Sequence, residues 1–529
     1  MPSICAIPCS RKVLPVASET DFKPQLRLHP LSWLFALTTS VRQLIVPILA
    51  FFLFGARNNG EYWGALILVP LLIGALWQQW VYRYGFGPRG LVIHQGLLFR
   101  NVRMIEYSRI ENIDVERGVL HRLFGVAQVS IATSTGGKPE ASIRVLSLDA
   151  VQEIRERIFE SRHANTQRAT AIVSDEVLLR VPPAELVRYG LIDNRGIIVV
   201  AALFGFLSQN DQLLGFLARR AGGWIQDSRW DAVLGLGWAI QAVLVLGLLI
   251  GIIVSLRLLS IAIAFVTLFD FTLSRHEHDF RIRYGLLTRV ALSLRVRRVQ
   301  AVHQTATLLH RLFGRVSLRV DLAGDSVGNG EGQHSSQGHV RWLAPICTPQ
   351  QATELIAAAL PDADLTRELD WQPLAPGAQG RLFRKGIYFG IVLTTIGVTA
   401  LHVIPQAAFV PGLEAIAALL AFVLGLAWLR AYLYVKHTRW ALTQDAMYFH
   451  HGWLTRRLVI APRNRLQSVK LSQSPFDMRH RMANVSLDTA GGSSMRDSIR
   501  IPFLTVEIAQ QLANTLYRSP VRDLNLRAS

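Results

Sequence analysis

Apolar and polar stretches alternate along the chain in a fixed order, and the apolar ones fall into three pairs. The first pair covers residues 43–54 and 62–81, the second 196–207 and 232–269, and the third 386–404 and 413–435. A helix that crosses a bilayer needs about 20 apolar residues. Six crossings is therefore the simplest count, with the first members of pairs one and two short for the task. Residues 232–269 pose the opposite problem. With only Arg257 inside, they predict one long tilted helix that projects from the membrane, or a crossing followed by an interfacial segment. After each pair come short runs of period two, such as LVIHQG, RMIEYS and VSIAT, broken by Gly and polar residues, which predict antiparallel strands. Each polar stretch then ends in helical spacing: Val151, Ile154 and Ile158; Ala352, Leu355 and Ala359; Ile508, Leu512 and Leu516.

The three polar stretches are copies of one another. Anchored on Gly96, Gly285 and Gly452, they read GLLFRNVRMIEYSRIENI, GLLTRVALSLRVRRVQAV and GWLTRRLVIAPRNRLQSV without a gap. Arg100, Arg289 and Arg456 coincide, as do Arg109, Arg298 and Arg465. Farther on, HRLFG occurs at 121–125 and again at 310–314, where the third copy has DMRHR at 477–481. A repeat this extended makes the chain three copies of one unit, a helix pair followed by a β-rich module. The second copy carries an insertion rich in Gly and Ser, Ala323 to Gly338, which reads as a hairpin loop. Mixed segments ahead of each pair (HPLSWLFALTTSV, PPAELVRYGLIDN, APGAQGRLF) are expected to be interfacial helices, with Arg42, Arg195, Arg384 and Lys385 snorkelling where the apolar runs begin.

Charge adds orientation. The chain has 529 residues, half of them hydrophobic, yet 56 Lys and Arg stand against 37 Asp and Glu. That composition excludes a disordered or fibrous protein. With both termini on one side, the three outer loops hold only Arg57, Arg219, Arg220 and Arg229. The positive-inside rule then puts the termini and the β modules in the cytoplasm.

Little in the sequence carries chemistry. Cys5, Cys9 and Cys347 form no CxxC and support neither a disulfide framework nor a zinc site. His276, Glu277 and His278 have no third ligand evident on their face, so no metal is assigned. Phosphate-binding, nucleophile-elbow and dinucleotide signatures are missing, and no catalytic or cofactor-binding residue is assigned. Basic charge spread through membrane-tethered modules does not predict nucleic-acid binding. Inside the apolar stretches Arg257 and His402 are the intramembrane candidates, because ionisable groups in lipid are costly unless solvated or paired. At the membrane surface Arg100, Arg109, Arg289, Arg295, Arg297, Arg298, Arg456 and Arg465 are candidates for contact with anionic lipid or a partner, at about 1 kcal/mol per basic residue. Arg109, Arg298 and Arg465 fit a structural reading equally well, fixing a turn or pairing with a carboxylate. His121 and His310 are expected to cap or hold the repeated loop.

Helix pairs followed by G-[LW]-L-x-R, then R-[IVL]-[EQ], then HRLFG and an alternating V-S-[IL] strand, resemble the membrane-flanked PH-like proteins of bacteria (YdbS/YdbT-like). The marks are Gly96, Arg109, Ile110 and HRLFG 121–125; Gly285, Arg298, Val299, Gln300 and HRLFG 310–314; and Gly452, Arg465, Leu466 and Gln467. The resemblance implies an α+β membrane protein of the bacterial inner membrane: six transmembrane helices in three pairs, each pair followed by a PH-like antiparallel β split barrel with a C-terminal helix. It implies no activity and no cofactor. It does imply a partner, a shorter single-repeat PH-like membrane protein, and with it an oligomer. The expected order is an N-terminal tail at 1–30, interfacial segment and helix pair 1 at 31–81, and module 1 at 82–165. Interfacial segment and helix pair 2 follow at 181–270, module 2 at 271–362, interfacial segment and helix pair 3 at 374–435, and module 3 at 436–520. The expected function is a non-enzymatic scaffold that binds partner proteins or anionic lipid at the membrane surface; the alternative is a transporter or channel with regulatory PH-like domains.

Overall fold

Strands and helices alternate along the chain, and three short strands that the sequence reading does not predict, Leu26–Arg27, Glu176–Arg180 and Gln372–Pro373, join the sheets from ahead of the expected helix pairs. The computed structural model describes residues 26–27, 82–87, 90–95, 101–133, 141–163, 176–208, 237–276, 279–323, 342–363, 367–403, 413–489 and 499–516, with a few single positions besides. The chain divides into two compact units, one of Met1–Thr133 with Glu140–Thr170, the other of Ser134–Pro139 with Ala171–Ser529. The first holds module 1 and the second holds modules 2 and 3.

In module 1, β1 (Leu26–Arg27), β2 (Arg83–Phe86), β3 (Gly90–Gln95) and β4 (Asn101–Glu106) pair antiparallel in that order. A second antiparallel set follows: β5 (Ile110–Arg117), β6 (Val126–Thr133) and β7 (Ala141–Ser147), with the one-turn helix α1 (Val119–Leu123) between β5 and β6. Alternate residues Leu91, Ile93, Val129, Ile131 and Ile143 face one core, and α2 (Leu148–His163) closes it with Val151 and Ile154. That is the period-two and period-3.6 pattern of the sequence meeting across two layers.

The second unit opens with β8 (Glu176–Arg180), the short helix α3 (Pro183–Ile192), α4 (Arg195–Ser208) and the long α5 (Trp238–Leu268). Module 2 comprises β9 (Thr272–His276), β10 (Asp279–Tyr284), β11 (Arg289–Arg295), β12 (Val299–Ala306), α6 (Leu308–Leu312), β13 (Val316–Leu322), β14 (Trp342–Cys347) and α7 (Pro349–Ala359). After β15 (Gln372–Pro373), α8 (Ala378–Val403) and α9 (Leu413–His437) comes module 3. Its elements are β16 (Arg439–Leu442), β17 (Ala446–His451), β18 (Arg456–Pro462), β19 (Leu466–Ser472), α10 (Pro475–Arg479), β20 (Met482–Thr489), β21 (Ile499–Thr505) and α11 (Val506–Leu516).

Modules 2 and 3 are not separate beads. β12 of module 2 pairs antiparallel with β18 of module 3, Val302 opposite Ile460 and Ala306 opposite Arg456. One seven-stranded sheet results, in the order β14-β13-β12-β18-β17-β16-β15. Its two faces serve two cores. Val302, Tyr448 and Ile460 enter the core of module 2, while Ala301, Phe449, Val459 and Ala461 enter that of module 3. The buried parts of β17 and β18 are therefore apolar on both sides, as in sheets covered on both faces. Burying a side chain such as Ile460 or Phe449 contributes about 1.5–3 kcal/mol, so separating the modules would expose several such contributions at once.

Two helices among the described residues are long and apolar enough to cross a membrane, Ala239–Leu268 and Ala417–His437. The first pair lies outside the described residues apart from Trp77, which is helical. α4 has 14 residues, and the expected fifth span forms the latter part of α8, described to Val403. Among the described residues, then, two of the six expected spans meet both the length and the apolar composition of a crossing. Within residues 232–269, Trp238–Leu268 form one continuous helix of 31 residues. Of the mixed segments, PPAELVRYGLIDN forms the separate helix α3, whereas APGAQGRLF supplies the first turns of α8 itself. On α11 the buried stripe is Ala509, Leu512 and Leu516, and Ile508 is exposed, one position off the sequence expectation.

The repeat anchors have a conformational cause. Gly285 and Gly452 turn their hairpins at φ +108° and +90°, and a Cβ would lie 2.0 and 2.1 Å from the carbonyl oxygens of Thr288 and Thr455. Only glycine fits there. The last residue of HRLFG is likewise left-handed, at φ +66° for Gly125 and +62° for Gly314, and ends the short helix. In module 3 the same position is Arg481 at φ 51°. The turn is kept without the glycine.

Candidate functional site

The candidate surface arginines divide by what they touch. Arg465 donates to the backbone carbonyls of Val296, at 3.3 Å, and of Val299, so it fastens module 3 to the turn that starts β12. Arg298 donates to the carbonyl of Ala323 and accepts the Ala323 N–H on its own carbonyl, closing the end of β13 on that turn. Arg109 forms an exposed ion pair with Glu106 at 3.3 Å. For Arg298 and Arg465 the structural reading prevails. Arg456 is half-buried, its Nε without a hydrogen-bond partner among the described residues, and Arg295 is half-buried at the end of β11. Arg289 and Arg297 are exposed and remain open to solvent. Arg100, Glu277 and His278 lie outside the described residues, as does the insertion after Ala323.

What the structure does bring together, in modules 2 and 3, is a junction between the apolar helices and the β module. In module 2, α3 is the bracket. Glu185 receives two hydrogen bonds from Arg315, Nε at 2.9 Å and Nη2 at 2.8 Å, and is also paired with Arg188. The Arg315 hydrogen bond, more than burial opposes it, holds the Glu185 carboxyl below the usual carboxylate range. One turn on, Tyr189 meets Trp342 of β14 edge-on at 6.3 Å, and Arg319 lies over the same indole at 4.1 Å. α3 and the start of α4 both pack on α5. Gly190 sits so close that a Cβ would lie 2.5 Å from the Ile261 Cα, and Gly196 donates its N–H to Ser260 Oγ at 3.0 Å.

Arg257 belongs to this junction. Its Nη1 donates to the carbonyl of Leu191 at 2.9 Å and to Asn194 Oδ1 at 3.0 Å, so the charge caps the C-terminal end of α3. A cation there satisfies orphan carbonyls and meets the negative end of the helix dipole. That is a structural task, and nothing at Arg257 points to a transport path. His402 falls in α8, and its side chain lies outside the described residues.

Module 3 builds the same junction from opposite charges. Here the cation is on the helix and the acid on the module: Arg381 of α8 donates to Asp477 of α10 at 3.0 Å and lies over Phe476 at 5.0 Å. Next to it Arg384 donates to His480 Nε2 at 2.6 Å. Burial pushes the Asp477 carboxyl up, but hydrogen bonds from Ser474, Arg381 and Asn484 outweigh it and leave the group below its ordinary value.

The repeated loop gains its meaning from this comparison. Thr307 caps α6, accepting the His310 N–H, while its hydroxyl also meets His310 Nδ1 at 2.8 Å. Ser474 and Asp477 form a full capping box at the same two positions of module 3. His310 therefore holds the loop, as expected from sequence. Burial brings its imidazole down to about 4, so it is neutral at pH 7. Where HRLFG becomes DMRHR, the histidine is replaced by an aspartate that both caps the helix and grips Arg381. The ion pairs themselves were beyond sequence reasoning, since the partners stand 130 and 96 residues apart.

A family model described as "Bacterial PH domain" matches residues 43–162, 231–363 and 391–519. The chain is also 22% identical over 495 residues, 89% of its own length and 94% of the relative's, to the UPF0699 transmembrane protein YdbT of Bacillus subtilis (strain 168). No solved structure matches it. Three matched regions on three repeated modules identify the chain as a bacterial membrane protein with internal repeats that belongs to the bacterial PH domain family.

Proposed function

We propose that the chain is a non-enzymatic scaffold of the bacterial inner membrane that crosses the bilayer six times and presents three cytoplasmic PH-like modules to partner proteins or anionic lipid. The lysine and arginine excess outside the three outer loops supports the inward placement. The exposed Arg289 and Arg297 are where anionic headgroups would meet module 2.

One observation carries the scaffold reading. A module of this kind completes itself with a strand from another module, as β12 does with β18. β19 of module 3 is the positional counterpart of β12, since Arg465 and Arg298 coincide in the repeat. Yet β19 is the end strand of its sheet among the described residues, ordered β19-β20-β21, with Gln467, Ser468 and Lys470 exposed. A separate protein with a PH-like module, such as a shorter single-repeat membrane protein, has the strand that would extend it. Strand addition of this sort takes affinity from the main chain and specificity from alternate side chains.

Co-expression with such a single-repeat protein tests the reading. Ser468→Pro and Val469→Pro are made in turn, because adjacent N–H groups of a strand point to opposite edges. One proline weakens the pairing with β20; the other blocks only the outer edge. The reading expects a complex of defined mass in mild detergent with the unaltered chain, lost in the edge-blocking variant while module 3 stays folded. A complex that survives both prolines, or none with the unaltered chain, overturns it.

A further inference from the structure

The short helices that follow β5, β12 and β19, one in each module, expose large apolar side chains that no core uses. In α1 these are Val119, Leu120 and Leu123; in α6, Leu308 and Leu312; in α10, Phe476 and Met478. Leu123 and Leu312, at the same repeat position, are 74% and 76% exposed. Module 3 has Arg479 at that position, yet the helix still presents two large apolar groups. Exposure recurring in three copies is not the scatter of single apolar residues found on most surfaces.

In the second unit these helices are tied to the segments that lead into the apolar helices. α10 is tied by Asp477 to Arg381 and by His480 to Arg384, the residue two before Gly386, where the apolar run of α8 begins. α6 leads into Arg315, which holds Glu185 of α3, and α3 in turn is capped at its far end by Arg257 of α5. Arg311 and Arg479, both exposed, stand on the same short helices as these apolar side chains, a mixture that suits a polar–apolar boundary.

We infer that α6 and α10 dip into the headgroup and acyl boundary of the protein's own membrane, Leu308, Leu312, Phe476 and Met478 entering the apolar layer and Arg311 and Arg479 meeting phosphates. The modules are then held on the bilayer by tips as well as by their helices, and their strand edges lie at a fixed height above it. This rests on the membrane placement proposed above, not on the docking of a partner at β19. Amphipathic segments bind the interface by buried apolar area together with charge attraction.

The test uses the full chain in sealed vesicles of phosphatidylethanolamine and phosphatidylglycerol. Cys5 and Cys9 are changed to Ser, the buried Cys347 is left, and an environment-sensitive fluorophore is attached at Leu312→Cys, Phe476→Cys or, as a control on an exposed strand, Lys470→Cys. The expected result is blue-shifted emission at 312 and 476 that lipid-borne nitroxide quenches, with water-like, unquenched emission at 470. Water-like emission at 312 and 476 overturns the inference. So does a blue shift that lipid nitroxide leaves unquenched, because protein then covers the tips. An impermeant reductant added outside reports, on the same vesicles, which face the labels occupy. A failure of the membrane placement is thereby told apart from a failure of the tips to insert.

Discussion

Replacing Arg381 with Ala should loosen module 3 far more than a surface substitution would. The Asp477 side chain is 6% exposed and that of Arg381 18%. Removing one partner of a buried pair strands the other charge, which costs about 3–5 kcal/mol when the site is dry. Here the arginine is partly wet and Asp477 keeps Ser474 and Asn484 as donors, so about 2–3 kcal/mol is expected. That is about 30- to 150-fold in the opening equilibrium of the module. Asp477→Asn added to Arg381→Ala removes the stranded charge and should recover most of the loss. Backbone hydrogen exchange along β20, in detergent-solubilised full chain, reads the opening directly. Equal exchange in wild type and Arg381→Ala would refute the reasoning, as would a double variant no better than the single one.

Three further outcomes follow from named residues. Arg481→Gly places glycine at a left-handed position and should stabilise module 3 by up to about 1 kcal/mol, read as slower exchange in β20 and β21. Gly285→Ala forces a Cβ onto the Thr288 carbonyl and should cost at least about 1–3 kcal/mol, seen as a lower melting temperature of the solubilised chain. Stability should also fall with acidification. Buried His310 and His451 have folded values near 4 against 6.5, so the unfolded chain binds their protons first as pH drops below 6.5. Their contribution is complete above 6.5 and shrinks by at most about 1.4 kcal/mol per pH unit per histidine down to about 4. The depressed carboxyls of Glu185 and Asp477 act in the same direction at lower pH. Melts between pH 7.5 and 5 check this, and His310→Gln should flatten the profile.

Much of the architecture is written locally. Gly285 and Gly452 mark turns that demand a positive φ, and Thr307 and Ser474 mark helix starts, so the repeat could be anchored on residues with conformational reasons to recur. The shared sheet is a different matter. Pairing between β12 and β18 joins residues about 150 apart, for which no turn or spacing exists; the one local trace is the unbroken apolar run Leu458 to Ala461, which departs from the alternation of a half-buried strand. Nor do types and spacing reveal which arginines are spent on structure. Arg297 and Arg298 are neighbours, yet one is exposed and the other closes a strand end, because a 3-10 turn at Val296–Arg298 sends them different ways. The reversed ion pairs are equally hidden, since only the fold brings Glu185 to Arg315 and Arg381 to Asp477.

Strand fusion of two membrane-tethered modules is the claim on which the scaffold account stands, and a cross-link in native membranes measures it most directly. Thr305 and Arg457 face each other across β12 and β18, and directly opposed residues of an antiparallel pair lie within disulfide reach. Thr305→Cys with Arg457→Cys should oxidise rapidly to an intramolecular bridge, and Thr305→Cys with Val459→Cys, two residues out of register, should do so poorly. Equal bridging of the two pairs, or none in either, would contradict the account.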